Sequence, residues 1–144
     1  MRPLGRLAGA LLLAGALAGC AAGRVDSSYV NAAFAPGDSE TLATAMAGFV
    51  KSRLPAASST VILDRLSDEQ SGNALTPVFA EGLRQAGFAV AASAAAPPGA
   101  HRIRYLVTPF ENGTLVRLTI DATDAARHFV RSSAGLQARG PFMV

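Results

Sequence analysis

Between Leu42 and Leu54 the apolar residues Leu42, Ala45, Met46, Phe49, Val50 and Leu54 recur every three or four positions. That spacing lines one stripe of a helix. Asp38-Ser39-Glu40 offers an N-cap and negative charge at its positive end, and Pro55 stops it. Thr60 to Leu66 is β-branched and aliphatic, the pattern of a strand, and Asp68-Glu69-Gln70-Ser71-Gly72 is a polar turn. A second helical stripe runs from Asn73 to Ala86 through Leu75, Val78, Phe79, Gly82, Leu83 and Ala86. Pro77 falls in its first turn, where a missing N–H costs least, and Gly87 follows as the terminating glycine. Phe88-Ala89-Val90-Ala91 then reads as another strand. Strand, helix and strand in succession predict a crossover unit with its strands parallel or near neighbours.

Ala91 to Ala100 is alanine-rich and ends Pro97-Pro98-Gly99, a loop. From His101 the period changes from helical to alternating. Ile103, Tyr105 and Val107 interleave with Arg102, Arg104 and Leu106; Val116, Leu118 and Ile120 interleave with Leu115, Arg117, Thr119 and Asp121. Each strand thus has one dry and one wet face. Glu111-Asn112-Gly113 predicts the intervening hairpin, with Asn-Gly accepting the positive φ of a type I′ turn. Asp124 marks a further turn, Ala126 to Ser132 a third strand, and Ser133-Ala134-Gly135 a turn into a short terminal strand. The pattern predicts an α+β fold: two helices packed on a mixed or antiparallel sheet whose C-terminal half is a β-meander.

The first twenty residues differ from all this. Arg2 and Arg6 precede a run from Leu7 to Leu17 containing only Leu, Ala and Gly, followed by Ala18-Gly19-Cys20. A basic start, a short apolar run and small residues make a secretory signal; a membrane-spanning helix needs about 20 apolar residues. Leu17-Ala18-Gly19-Cys20 resembles the bacterial lipobox, in which the cysteine receives diacylglycerol, the peptide is cut before it, and the new amine is acylated. More than one acyl chain gives stable anchoring. The expected division is therefore a signal peptide over 1–19, a lipidated N-terminus and tether over 20–37, and a periplasmic domain over 38–144. In Gram-negative lipoproteins an Asp after the cysteine resembles an inner-membrane retention signal; here Ala21 follows, so the outer membrane is the expected destination.

Composition narrows the chemistry. The formal charge is +3, from 13 Lys and Arg against 10 Asp and Glu, and Arg2 and Arg6 leave with the signal peptide, so the remaining charges nearly balance. No clustered basic footprint for nucleic acid remains. A lone cysteine makes neither an internal disulfide nor a zinc site. His101 and His128 belong to no nucleophile pattern, no glycine-rich phosphate loop occurs, and the carboxylates are dispersed. The expectation is no enzyme, no metal, no small-molecule substrate, and no cofactor beyond the diacylglycerol and N-acyl chain on Cys20. Arg102, Arg104, Arg117, Arg127 and Arg131 alternate along three successive strands. Several could share one sheet face, as a solvated surface or a protein-contact face, since planar guanidiniums pair carboxylates at interfaces.

The lipobox ending in Cys20, the stretch Leu75 to Val90 with its Gly-Leu-Arg-Gln-Ala-Gly-Phe-Ala-Val, the segments Ile103-Arg-Tyr-Leu-Val and Leu115-Val-Arg-Leu-Thr-Ile, the strand holding Arg127 and the glycine turn near the end together resemble TrbH. TrbH is the lipoprotein family of conjugal-transfer, or mating-pair-formation, type IV secretion systems. The resemblance implies a non-enzymatic structural part of a secretion channel at the outer membrane, meeting other periplasmic and outer-membrane subunits. The rival expectation is a stand-alone envelope lipoprotein, or an accessory of a secretin, pilus or lipid-transport machine.

Overall fold

The computed structural model describes residues 27–31, 34–64, 66 and 73–144. Leu17, Ala18, Gly19, Cys20 and the polar stretch 68–72 lie outside the described residues. The elements are β1 (Tyr29–Val30), α1 (Ser39–Arg53), β2 (Thr60–Leu63), α2 (Leu75–Gln85), β3 (Ala89–Ala91), β4 (His101–Phe110), β5 (Gly113–Ile120), β6 (Thr123–Ser132) and β7 (Gly135–Met143). They form an α+β fold in which two helices cover one face of a seven-stranded mixed sheet of order β3-β2-β4-β5-β6-β7, with β1 also beside β4.

The predicted crossover is present. β2 pairs β3 in parallel, with Val61 opposite Val90, and pairs β4 in parallel, with Ile62 opposite Arg102. From β4 onward the sheet is an antiparallel meander. Its alternation is as the sequence implies. Ile103, Tyr105, Val107, Val116, Leu118 and Phe129 turn inward against Leu42, Met46, Val50, Leu75, Phe79 and Leu83 of the helices, all buried in one cluster. The Phe79 ring meets Tyr105 edge-on at 5.5 Å, a favoured aromatic geometry.

Local chemistry explains the helix ends. Asn73 Oδ1 accepts the backbone N–H groups of Leu75 and Thr76 at 3.0 and 2.9 Å, satisfying two orphan donors of α2. At the other end Phe88 N–H donates to Leu83 O and Gly87 N–H to Arg84 O, with Gly87 at φ +100. This is the paired-bond helix stop that favours glycine. α1 differs from expectation. The Asp38 carboxylate makes no cap bond; the Arg131 guanidinium takes it instead.

Four further expectations are corrected. The fold begins before residue 38: Ser28 and Val30 are each 2% exposed, and Phe34 packs on the core. β2 pairs only the start of β4, leaving backbone groups further along that strand unpaired. β1 satisfies them, with Asn31 N–H donating to Val107 O and Ser28 Oγ accepting Tyr105 N–H. The first hairpin turns on Glu111 (φ 51) and Asn112, with Gly113 already paired in β5. A Cβ on Gly113 would stand 1.8 Å from Phe129 O, so this glycine is required by the close approach of β6. Asp124 lies within β6, because the second hairpin turns on Asp121 (φ 54) and Ala122. The terminal strand is nine residues long, not short.

Candidate contact face

Helices cover only one face of the sheet. On the other, strand register aligns side chains in rows that run across the meander. One row reads Tyr29, Leu106, Arg117, Ala126 and Met143. A second reads Thr108, Leu115, His128 and Arg139, and a third Arg104, Thr119 and Asp124. Tyr29, Phe110 and Met143 are exposed here, at 37%, 45% and 70%, and the Phe110 ring meets His128 edge-on at 5.0 Å.

The five arginines do not share this face. Arg102, Arg104 and Arg117 alternate with the inward residues and project outward. Arg127 and Arg131 share the parity of Phe129 and turn to the helix side, which corrects the one-face expectation. Strand alternation sets that side: Arg127 lays its guanidinium over the Phe129 and Phe142 rings, at 5.5 and 5.6 Å, and Phe142 in turn packs 4.6 Å from Phe49. This is aromatic packing with a cationic partner. Arg131 forks onto Asp38, clamping the start of α1 to β6. That bonding raises the Arg131 pKa above its ordinary value.

At the end of the open face near the start of β4, the carboxylates are all hydrogen-bonded. Arg102 Nη1 bonds the buried Asp64 at 2.6 Å. Arg104 Nη2 donates to Thr119 Oγ1, which donates to Asp124 at 2.6 Å, a relay across three strands. His101 Nδ1 lies 2.7 Å from Asp121, whose second oxygen accepts the Arg102 N–H. Burial opposes ionisation of Asp121, but these hydrogen bonds and the nearby imidazole outweigh it and hold its carboxyl below the ordinary value. Towards the middle of the face, no ion pair or hydrogen bond to a carboxylate involves Arg117 or Arg139 among the described residues. A depression of about 320 Å³ opens between Arg104 and Arg117, lined also by Leu106, Ala126 and Met143.

Arg139 and the exposed Tyr29, Phe110 and Met143 escape the sequence reading. Their strands are either too short to show a period or longer than turn chemistry suggests. The only available signal was the parity of Leu106 and Leu115, apolar residues on a wet face. Among the described residues no group of His, Cys, Asp and Glu could hold a metal ion, and no helix is long and apolar enough to cross a membrane.

A family model, conjugal transfer protein TrbH, matches residues 22–144. No curated protein and no solved structure matches the chain.

Proposed function

The chain belongs to the TrbH family of conjugal transfer proteins, and on that premise we propose that it is a lipid-anchored structural subunit of a conjugative type IV secretion channel. Cys20 carries diacylglycerol and an N-acyl chain after removal of residues 1–19, and the domain hangs from the outer membrane into the periplasm. It works without catalysis, by holding a contact surface in place for the membrane and for other channel subunits. The open sheet face, with Arg102, Arg104 and Arg117, is the part of that surface turned to the membrane.

Family membership across residues 22–144 carries the reading. The Leu17-Ala18-Gly19-Cys20 sequence supports the anchor. The uncovered face supports the scaffold role, since exposed aromatic and apolar side chains interleaved with arginine mark contact surfaces. Deleting the gene from a conjugative element should sharply reduce transfer while DNA nicking continues. Complementation by Cys20→Ala should leave an unprocessed, unlabelled precursor and fail to restore transfer. Full transfer without the gene would refute the channel role; cleavage and lipid labelling of the Cys20→Ala protein would refute the anchor.

A further inference from the structure

We infer that the open sheet face, centred on Leu106, Leu115 and Arg117, lies against an anionic phospholipid surface. This rests on acylation of Cys20, and three observations point from there to the bilayer.

The first is reach. Ser28 is buried in the sheet, its Oγ bonded to Tyr105 N–H. From Cys20 to Ser28 the chain makes about eight Cα steps, which at no more than 3.8 Å each span at most about 30 Å whatever path they take. That is about the diameter of a small domain. An acylated Cys20 therefore keeps the fold within touching distance of the headgroups, and tethering makes individually weak contacts populated.

The second is the side that has something to offer. Tyr29, Phe110 and Met143, with the terminal Val144, are the exposed large hydrophobic residues among those described. The three strand residues all belong to the open face. Tyrosine and other amphipathic side chains favour the headgroup boundary.

The third is charge. Asp64 is ion-paired with Arg102, Asp121 is bonded by His101 and the Arg102 amide, and Asp124 accepts only from the Thr119 hydroxyl. Arg117 and Arg139 bond no carboxylate among the described residues, so the middle of the face presents two guanidiniums that stand outside any ion pair there. A basic residue near an anionic lipid surface strengthens binding by about fivefold. The depression between Arg104 and Arg117, about 320 Å³, has two guanidiniums against the one carboxylate of Asp124 in its lining and is large enough for a phosphate group.

The test uses the full acylated chain, reconstituted in vesicles of phosphatidylcholine alone or with phosphatidylglycerol. A spin label is placed at Leu115→Cys, or at Thr108→Cys on the same face should the first variant fail to fold. A control label sits at Gly48→Cys, on an exposed position of α1 where a Cβ meets nothing within 4 Å. With phosphatidylglycerol present, the face label should lose accessibility to a water-soluble relaxation agent while the control keeps its own, and each arginine of the face should strengthen that contact about fivefold. Arg117→Glu with Arg139→Glu should abolish the difference. Equal accessibility of the two labels on protein that floats with the vesicles would overturn the inference while leaving the anchor intact. Shielding that is absent from vesicles but appears in whole envelopes would assign the face to a protein partner and overturn it too. Protein that fails to float at all would remove the anchor, and this inference with it.

Discussion

Substituting alanine at Gly113, Gly48 and Gly82 makes one chemical change in three environments, and the structure assigns a loss to the first and a gain to the other two. At Gly113 the added methyl would sit 1.8 Å from Phe129 O, 2.8 Å from its carbonyl carbon and 2.9 Å from Val130 Cα. All three are backbone atoms of the paired strand, so no rotamer change relieves the clash. β5 and β6 must separate by more than 1 Å, stretching the ladder that runs from Gly113↔Val130 to Ile120↔Thr123. Overpacking of a well-fitted site costs about 1–3 kcal/mol and sometimes more; with backbone on both sides of the clash, about 3 kcal/mol or more is expected. For a domain of this size that corresponds to a fall in Tm of roughly 12 °C or more. At Gly48 the methyl meets nothing within 4 Å, so alanine keeps only its helical advantage, roughly 0.5–1 kcal/mol. At Gly82 it would reach Ala47 Cβ at 3.6 Å, an ordinary contact, and a gain of up to about 1 kcal/mol is expected. Urea denaturation of the full chain, followed by far-ultraviolet circular dichroism, checks all three, provided the m-value stays constant. A Gly113→Ala protein within about 1 kcal/mol of the parent would refute the reasoning, by showing that the strands part at little cost.

Two further substitutions probe the core and a cap. Tyr105 is fully buried, and burial pushes its hydroxyl up to about 12, against a smaller opposite effect from its bond to Thr76. A raised folded-state value means that this group's contribution is intact below pH 10 and is lost as pH rises from 10 through 12, by roughly 2–3 kcal/mol. Tyr105→Phe should cost about 1 kcal/mol at neutral pH and remove that alkaline loss; an unchanged pH profile in the variant would exclude the cause given. Asn73→Ala should destabilise by about 1 kcal/mol, because two N–H groups at the start of α2 lose their acceptor. Asn73→Asp should retain most of it, and equal losses in both variants would count against the cap.

Much of the fold was legible because local periods carry it. The stripes of α1 and α2 and the alternation in β4 and β5 each repeat often enough to choose between helix and strand. Gly87 ends α2 where a glycine was expected. The turns were less legible. Asn112-Gly113 promised a turn in which glycine supplies positive φ, whereas Glu111 takes that conformation and Gly113 serves the crowded β6 crossing. β1 was invisible, since two residues have no period and its existence depends on backbone groups of β4 that β2 leaves unpaired. For the candidate face, the sequence supplied the alternating arginines but not which side each would take. Arg127 and Arg131 share the side of Phe129 on β6, where Phe142 and Asp38, partners more distant in sequence, receive them.

What the sequence determined by itself, then, is what neighbouring residues can enforce: element types, helix ends, hairpin order and a lipobox-like segment at Cys20. The tertiary structure alone decided which strand completes β4, which glycine has no room for a methyl group, and which side of the sheet each guanidinium takes. The physical reason is range. Period, capping and turn propensity act over a few residues, whereas strand pairing, steric exclusion and ion pairing depend on atoms brought together by the packed fold.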